Sequence, residues 1–251
     1  MNNKVITLIS DFNDTFSSTQ MELMAHSINP LIKFIVAENN VTPFSIIEGA
    51  FLLSKLYSFA PPKSIHIGVV DPGVGSDRHG LVIKTKNYWF IGPDNGILYP
   101  AAKLDGIQSI FTISKNTVKP ISYTFHGRDL FAKVASYISK GKNPLNFCNN
   151  ISKIKIKPLK FKKNQVLHID AYGNIKFNAQ SNGFRIGDKV NISRGKVQFN
   201  VVYCQTFSDV TAGKLLLYNG SHQTLELALN LGSAAKKLDA KVGDILQIQK
   251  L

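Results

Sequence analysis

Residues 64–76 read SIHIGVVDPGVGS, an apolar run that ends in an aspartate and a glycine-rich turn. A second run of the same kind, KVITLIS at residues 4–10, is followed directly by Asp11. Both runs are apolar at nearly every position, as are strands that are buried on both faces of a parallel sheet. Helical patterns alternate with such runs over the first 140 residues. This alternation predicts an N-terminal α/β domain with a largely parallel central sheet.

Three helices can be placed in this sequence by their end signals. Residues 45–48 (SIIE) have the form of a capping box and precede apolar residues at helical spacing. A helix is also expected from Gly127 to Gly141, with an acid in its first turn and lysines in its last, as the helix dipole prefers. Ser233 is a candidate cap for one short helix near the C-terminus.

Residues 151–165 contain six lysines, one proline and no acidic residue, which is typical of an extended connector. We therefore expect a boundary near residue 158, with domains at 1–158 and 159–251. Beyond it lie brief β-rich pieces separated by glycine, asparagine and aspartate, a pattern that indicates a small barrel or sandwich. These pieces are VLHID, IKFN, KVNIS, VQFNVVY, KLLLY and DILQIQ.

Composition narrows the class of protein. With 44% hydrophobic and 18% charged residues, the 251-residue chain falls in the range of globular proteins. No apolar run approaches the roughly 18 residues that a membrane span needs, and the N-terminus lacks a secretory signal pattern, so we expect a cytoplasmic protein. Two cysteines, Cys148 and Cys204, exclude a disulfide scaffold and any CxxC motif.

The net charge of +14 raises the question of nucleic-acid binding. Most of the excess positive charge lies beyond residue 150, where the sequence has 16 basic and only six acidic residues. Only four of the 30 basic residues are arginines, the residue that contacts phosphate and guanine in bidentate fashion. Nucleic acid is therefore not a favoured partner, although a basic nucleic-acid-binding protein stays open as an alternative.

Carboxylates at strand ends are the first candidates for a site. Ligands of open α/β sheets bind beyond the carboxyl ends of the strands, so Asp11 and Asp71 should face one pocket unless they merely cap the following turns. Arg78 follows seven residues after Asp71. His126 lies in YTFHGRD just before a predicted helix, where the helix dipole favours a neutral imidazole that can accept a proton.

Metal chemistry is a further possibility at these residues. The histidines show no HxH or HExxH pairing, so a zinc site is not expected. A mixed site of Asp11, Asp71 and His126 stays open, and with it a metal-dependent phosphoesterase. In the second domain, Asp170, Tyr172 and Asn174 place an acid, an aromatic ring and an amide at the end of one strand, a set that a plain β-turn also explains.

Several motifs in a fixed order resemble one family. They are SDF at 10–12, EGAFLL at 48–53, VVDPGVGS at 69–76, PDNG at 93–96, TFHGRD at 124–129, DAYGN at 170–174, TFSDV at 206–210, and LELA followed by GSAA near 225–235. Together they resemble the S-adenosyl-L-methionine (SAM) hydrolases that form adenosine, also called SAM hydroxide adenosyltransferases, which are related to fluorinase and chlorinase. The resemblance extends over nearly the whole chain.

The resemblance implies a fold, an activity and an assembly. The fold is an N-terminal α/β domain joined to a C-terminal β-barrel. The activity is hydrolysis of SAM to adenosine and L-methionine by attack of an activated water on the ribose C5′ carbon, with SAM as substrate and no separate cofactor or metal. The assembly is a homotrimer with sites at the subunit interfaces. Use of halide is not expected, because the halogenating relatives lack the triad described next.

The resemblance also implies roles for particular residues. Asp71, Arg78 and His126 match the triad that handles the attacking water, and Asp11 matches the carboxylate that holds the ribose hydroxyls. Substrate contacts are implied for the residues that match the other motifs, namely Phe125, Gly127, Asp170, Tyr172, Asn174, Phe207 and Ser221. Of these, Asp170 and Ser221 match groups at the methionine end and Asn174 an adenine contact.

This sequence departs from the family pattern at two places. Asn13 stands where the family usually has glycine, so the turn after Asp11 and the ribose contact are in question. The stretch NGSHQT at residues 219–224 aligns loosely, which leaves open whether Ser221 or His222 faces the amino acid.

Overall fold

The computed structural model describes residues 4–151, 156–180 and 183–251. The chain divides into two compact units, Met1–Leu159 and Lys160–Leu251. Each unit contains one seven-stranded sheet with helices, so the protein is α/β overall. None of the helices in the described ranges is long and apolar enough to cross a membrane.

Strands and helices alternate in the first unit. The strands are β1 (Val5–Ser10), β2 (Lys33–Glu38), β3 (Ile65–Val69), β4 (Gly80–Thr85), β5 (Trp89–Pro93), β6 (Ile107–Ile113) and β7 (Cys148–Ile151). The helices are α1 (Thr15–Ile28), α2 (Ile46–Leu56), α3 (Tyr99–Asp105) and α4 (Lys133–Ser139), with a π-helical turn at Gly127–Ala132 and 3-10 turns at Tyr57–Phe59 and Pro144–Asn146.

The sheet of the first unit is mixed. Its order is β2-β1-β3-β5-β4-β6-β7, and β1–β2, β1–β3 and β3–β5 are parallel. The pairs β4–β5, β4–β6 and β6–β7 are antiparallel. The largely parallel sheet expected from the sequence is therefore not confirmed. The connection from β4 to β5 has only three residues, too few for a parallel crossover, and buried strands of either direction have apolar runs.

Helices cover both faces of this sheet. Ile65 and Ile67 of β3 belong to the core formed with α1, α4 and the π-helical turn. Because side chains alternate along a strand, the intervening residues face the other way. A Cβ at Gly68 would lie 3.4 Å from Leu53 of α2 and 3.3 Å from Leu98, which precedes α3. The absence of a side chain at Gly68 thus lets these helices approach the sheet.

The second unit is mainly β. Its strands are β8 (Val166–Ile169), β9 (Ile175–Phe177), β10 (Lys189–Arg194), β11 (Val197–Tyr203), β12 (Leu215–Asn219), β13 (Leu225–Leu229) and β14 (Gln247–Lys250). They form a sheet in the order β14-β10-β11-β12-β13-β9-β8, antiparallel except for β11–β12. One 3-10 turn, Phe207–Asp209, and one helix, α5 (Ala234–Leu238), complete the described unit.

This second sheet is a curled half-barrel. The N–H of Val166 donates to the carbonyl of Asp244 at 2.8 Å, and the N–H of Leu246 donates to that of Asn164 at 3.0 Å. These bonds link the segment before β14 to the segment around β8, at opposite ends of the strand order. The barrel that the family resemblance implies is thus present as a curled sheet, whose concave side holds an apolar core that includes Ile175, Phe177 and Leu227.

Local end signals located α2, α4 and α5, whereas α1 and α3 were not placed from the sequence. Ser45 caps α2 by accepting a bond from the N–H of Glu48 at 3.4 Å, and Ser233 caps α5 through the N–H of Lys236 at 3.1 Å. The helix expected from Gly127 begins with the π-helical turn and continues as α4. Of the expected connector, residue 151 ends β7, residues 152–155 lie outside the described ranges, and 156–164 contain no helix or strand.

Candidate active site

The first unit places its candidate residues at one edge of the sheet. Strands β1 and β3 are parallel neighbours with Ser10 paired to Val69, so Asp11 and Asp71 follow at the same edge. A cavity of about 110 Å³ lies there. It is lined by Asp11, Phe12, Phe44, Val69, Asp71, Val74, Thr124, Phe125, His126 and Gly127. The sequence had predicted one pocket for Asp11 and Asp71, and the structure places both of them at this cavity together with His126.

Arg78 joins Asp71 to His126. Its Nε donates to Asp71 Oδ1 at 3.0 Å, and its Nη2 donates to Asp71 Oδ2. The same Nη2 lies 2.8 Å from Nδ1 of His126. The side chains of Arg78 and Asp71 are 10% and 6% exposed, so this is a largely buried ion pair. The guanidinium thus fixes the positions of the carboxylate and the imidazole together.

His126 is neutral and its tautomer is determined by Arg78. Burial lowers the pKa of His126, and the positive charges of Arg78 and Lys115 lower it further, against the opposing effect of Asp71 and Asp129. A guanidinium can only donate hydrogen bonds, so Nδ1 of His126 must accept, and the proton of the neutral ring lies on Nε2. This Nε2 is buried and has no hydrogen-bond partner among the described residues. It is therefore an unpaired, buried donor on a residue that lines the cavity.

A second buried ion pair holds the segment that carries His126. Asp129 is fully buried and accepts hydrogen bonds from Arg128 Nε at 2.7 Å and from the N–H of Ser122 at 2.7 Å. Burial alone would raise the pKa of Asp129, but these bonds and the Arg128 charge lower it. Arg128 also donates to Gln20 Oε1 of α1 at 2.8 Å. The loop before His126 and the π-helical turn after it are thereby tied to α1, and π-helical turns are common at functional sites.

Phe125 and Gly127 flank His126 and pack closely. The rings of Phe12 and Phe125 meet edge to face with centroids 5.7 Å apart. A Cβ at Gly127 would lie 3.0 Å from the sulfur of Met21 and 3.4 Å from the Phe12 and Phe125 rings. A side chain at Gly127 would thus displace the aromatic wall of the cavity.

Within the described ranges, one oxygen of Asp11 has a hydrogen-bond partner and the other has none. Its Oδ2 accepts a hydrogen bond from the N–H of Phe44 at 2.8 Å. Asn13, which replaces the usual glycine, has φ of 57° and donates through its side chain to the carbonyl of Asp11 at 2.8 Å. Asparagine is one of the few residues that adopt this left-handed conformation readily. The substitution is therefore compatible with the turn that glycine would form.

This geometry does not suit a metal ion. Within the described part of the chain, no group of three histidine, cysteine or acidic side chains is arranged to hold one. Arg78 bonds both oxygens of Asp71 and Nδ1 of His126, and its positive charge would repel a cation placed beside these groups. The phosphoesterase alternative that relied on Asp11, Asp71 and His126 as ligands is therefore not supported.

The second unit gathers its candidate aromatic and amide residues around another cavity. Tyr172, Asn174 and Phe207 line a space of about 500 Å³. The remaining lining residues are Gly232, which begins the GSAA motif, and Leu229, Asn230 and Leu231, which were not singled out from the sequence. Leu231 is 89% exposed and has φ of 57°, an unfavourable conformation for leucine. No local pattern marks such a residue, because its position depends on the strands that it follows.

Asp170 organises the turn that carries these residues. Its Oδ1 accepts hydrogen bonds from the N–H groups of Tyr172 and Asn174, both at 3.0 Å. Its Oδ2 accepts from the side chain of Asn174 at 3.1 Å and from Lys176 Nζ at 2.8 Å. Burial raises the pKa of Asp170, but the bond from Lys176 and the bonds within the turn lower it overall. Lys176 was not predicted as a site residue. It lies two residues after Asn174, the last residue of the DAYGN motif, which is the spacing of residues on one face of a strand.

Ser221 stands apart from this group. It is exposed, and its Oγ lies 3.4 Å from Nδ1 of His222 in the turn between β12 and β13. Neither residue lines the cavity around Tyr172 or the one beside Asp170. The roles of Ser221 and His222 at the methionine end therefore stay predictions.

Family comparisons agree with the motifs. Residues 6–148 match the model of the SAM hydroxide adenosyltransferase N-terminal domain, and residues 164–247 match that of the C-terminal domain. The two matches cover most of the chain, and the chain belongs to the SAM hydroxide adenosyltransferase family. The family assignment made from the sequence is thereby confirmed.

Individual relatives carry a consistent name. The chain is 36% identical to an (R)-S-adenosyl-L-methionine hydrolase of Methanocaldococcus jannaschii over 68% of this chain and 65% of the relative, slightly under two thirds of that protein. A Salinispora tropica protein of the same name is 28% identical over 88% of each chain. A solved structure of a conserved Thermotoga maritima protein has a TM-score of 0.89 at 29% identity, covering 97% of this chain and 99% of that one.

Proposed function

We propose that this protein hydrolyses S-adenosyl-L-methionine to adenosine and L-methionine. The observation that carries the proposal is the buried arrangement in which Arg78 holds Asp71 and His126 beside a cavity, with Nε2 of His126 left unpaired. Membership in the SAM hydroxide adenosyltransferase family and relatives named (R)-S-adenosyl-L-methionine hydrolase support it. SAM is then a small-molecule substrate, and the scheme requires no cofactor.

The reaction needs a nucleophile more than an acid. The water oxygen attacks the C5′ carbon, the electrons of the carbon–sulfur bond pass to sulfur, and methionine leaves as a neutral thioether. One proton of the water must be removed. Water has a pKa of about 15.7, so it needs positioning and a base to become reactive. Base catalysis typically contributes about 10² to 10⁴ in rate, and correct placement of the reactants adds to this.

The tautomer of His126 assigns different tasks to the two partners of Arg78. His126 donates a hydrogen bond from its Nε2–H to the water oxygen and thereby orients a lone pair toward C5′. Asp71 lines the cavity and keeps lone pairs beyond those that Arg78 uses, so it is the group that accepts the proton from water. His126 is thus a hydrogen-bond donor in this scheme, whereas the sequence had suggested a proton acceptor.

The other candidate residues are assigned to parts of the substrate. The free oxygen of Asp11 would bind the ribose hydroxyls, with Phe125 and Gly127 shaping the wall beside the reacting carbon. Tyr172, Asn174 and Phe207 would hold the adenosine portion. Asp170 and Ser221 would face the methionine end.

We further propose that the active protein is a homotrimer in which the first unit of one copy and the second unit of another complete each site. This assignment rests on the family resemblance. Two inactive variants, Arg78→Ala and Asp170→Ala, should regain activity when they are unfolded together and refolded as a mixture, because some sites then contain two intact halves. A monomeric species by light scattering, or no recovery on mixing, would rule out shared sites.

Incubation with SAM tests the activity directly. Both configurations at sulfur should be supplied separately, because the relatives' names specify the (R) form. Adenosine and L-methionine should appear in equal amounts by chromatography. In water enriched in oxygen-18 the label should enter adenosine. Absence of adenosine from both epimers would refute the activity, and unlabelled adenosine would refute attack by water.

A further inference from the structure

The second unit contains a buried cluster of charged groups that the proposed reaction does not yet use. Lys176 Nζ lies 2.8 Å from Asp170 Oδ2 and 3.5 Å from Glu226 Oε2. The hydroxyl of Tyr218 donates to the same Glu226 oxygen at 2.7 Å. Lys176 and Glu226 are only 7% and 3% exposed. Two carboxylates thus share one buried lysine.

The carboxylate of Asp170 has no capacity left in this arrangement. A carboxylate accepts about four hydrogen bonds, and Asp170 already receives four. Three of them come from its own turn, from the Tyr172 and Asn174 N–H groups and the Asn174 amide, and cannot leave unless the turn unfolds. The fourth comes from Lys176, whose long side chain can move. A ligand cation could reach Asp170 only by displacing Lys176.

Glu226 offers the place to which Lys176 could move. Its Oε1 is buried and has no hydrogen-bond partner among the described residues. A Cβ at Gly220 would lie 1.9 Å from this oxygen, so the glycine leaves room for it. Lys176 needs only to close the 3.5 Å gap to Glu226 Oε2, to the usual length of about 2.9 Å, for a full charge-assisted bond. The carboxylate of Asp170 is therefore saturated with hydrogen bonds, whereas the carboxylate of Glu226 is not.

The charges of the cluster point to a cationic ligand. Asp170 and Glu226 are two negative groups and Lys176 is one positive group, which leaves room for one more positive charge. We propose that Lys176 occupies the cation position of Asp170 in the free protein and shifts onto Glu226 when the α-ammonium group of the substrate binds, so that Lys176 and Glu226 select substrates with that ammonium group. The inference rests on the proposed function, which supplies a substrate with such a group.

The decisive experiment compares SAM with its desamino analogue, in which a methylene replaces the carbon that bears the ammonium group. In Glu226→Gln the lysine loses its alternative carboxylate. KM for SAM should therefore rise about tenfold or more, the size expected for a charge-assisted hydrogen bond. KM for the analogue should stay unchanged, because the analogue displaces nothing, and kcat should change little for either substrate.

The complementary variant is Lys176→Met, which removes the competing cation and keeps an unbranched side chain. The preference for SAM over the analogue should then increase, again by about tenfold. A matched control is Lys196→Met on an exposed turn of the same unit, which should leave both KM values unchanged. Thermal unfolding of each variant checks that it is folded, and Glu226→Gln, nearly isosteric with the native residue, serves if Lys176→Met does not fold.

A purely structural role for the cluster predicts a different pattern. Equal changes in both KM values, no change in either variant, or a reduced SAM preference in Lys176→Met would each overturn the inference. Failure of the proposed function is recognised separately, because the unaltered protein would then form no adenosine. Calorimetry with L-methionine and with its desamino counterpart, 4-(methylthio)butanoate, gives the same comparison of the variants without turnover.

Discussion

The two units each contain a buried ion pair with one polar atom left unpaired, but the pairs differ in charge and in mobility. In the first unit, Arg78 lies between Asp71 and a neutral imidazole, the cluster carries no net charge, and the unpaired atom is the Nε2 donor of His126. In the second unit, Lys176 lies between two carboxylates and the unpaired atom is an acceptor, Oε1 of Glu226.

The difference follows from the chemistry of the two cations. The planar fork of arginine fixes two partners at once, whereas lysine is a point charge on a flexible stem that can exchange partners. A fixed, neutral cluster suits the orientation of a water molecule. A mobile cluster with excess negative charge suits the binding of a cation. The comparison indicates that the first unit supplies chemistry and the second supplies recognition, and the experiments below test that division.

The largest effect should come from His126→Ala. Loss of the Nε2 donor leaves the water unoriented, so kcat for adenosine formation should fall by about 10²-fold, while the dissociation constant for SAM changes little. Stopped-assay turnover and calorimetric binding measure the two quantities. His79→Ala removes an exposed histidine next to Arg78 in the sequence, and as the matched control it should retain full activity. Equal losses in turnover and binding would assign His126 to recognition and remove the proposed division.

A related test distinguishes the geometry of the Arg78 guanidinium from its positive charge. Arg78→Lys keeps a positive charge but cannot bind Asp71 through two nitrogens and His126 at the same time. We expect kcat to fall by at least about tenfold, since the tautomer of His126 is then no longer fixed. Full activity in Arg78→Lys would show that a positive charge alone is sufficient for the role of Arg78 in the first unit, as we infer for Lys176 in the second unit.

Asp129→Ala should have the next largest effect. It leaves the partly buried Arg128 without its carboxylate and the N–H of Ser122 without an acceptor. Breaking a buried pair by removing one partner typically costs about 3 to 5 kcal/mol. The free energy of unfolding of the first unit should fall by that amount, measured by hydrogen exchange, and kcat should fall because His126 loses its support. Unchanged exchange in the first unit would contradict this role.

The sequence contained much of the first unit's site and less of the second's. Asp11 and Asp71 were predictable because they end apolar runs, and the carboxyl ends of neighbouring parallel strands meet at one edge. Arg78 and His126 were marked by the glycine-rich turn and the predicted helix near them. The direct bond between the two residues was not predictable, because they are 48 positions apart and no local pattern encodes that contact.

The unpredicted features depend on long-range pairing. Apolar runs do not encode strand direction, so the antiparallel half of the first sheet was missed. Lys176 and Glu226 lie directly opposite each other on β9 and β13, a register that only the folded sheet defines. In the sequence, Glu226 was part of LELA, a segment with no distinctive signal of its own.

The two units should lose stability at different pH values when the pH is lowered. Burial lowers the pKa of His66 to about 4, below its ordinary value of 6.5. The unfolded chain therefore binds more protons between these values, and stability that is complete above pH 6.5 is lost as the pH falls toward 4. The loss is about 3 kcal/mol in the first unit. In the second unit, the lowered pKa of Asp170 causes loss only as the pH falls below about 3.8.

Hydrogen exchange at several pH values, with peptides assigned to each unit, checks this order. His66→Phe should reduce the pH dependence of the first unit, whatever its effect on absolute stability, because His66 then takes up no proton on unfolding, while His126, whose pKa is also lowered, still does. Loss of protection in both units at the same pH would show that a different group controls acid unfolding.

The smallest effects concern two residues with the same left-handed backbone, Asn13 and Leu231, both with φ of 57°. Asn13 donates to the carbonyl of Asp11, so its conformation is locally stabilised, and Asn13→Gly should change kcat and stability little.

The left-handed conformation of Leu231 costs about 1 to 2 kcal/mol, yet the Leu231 side chain is 89% exposed at the cavity lined by Tyr172 and Phe207. Leu231→Gly should therefore leave stability unchanged or slightly raised while KM for SAM increases a few-fold with kcat unchanged. A strained, exposed side chain in the second unit would then serve binding alone, whereas an unchanged KM would mean that this side chain takes no part in recognition.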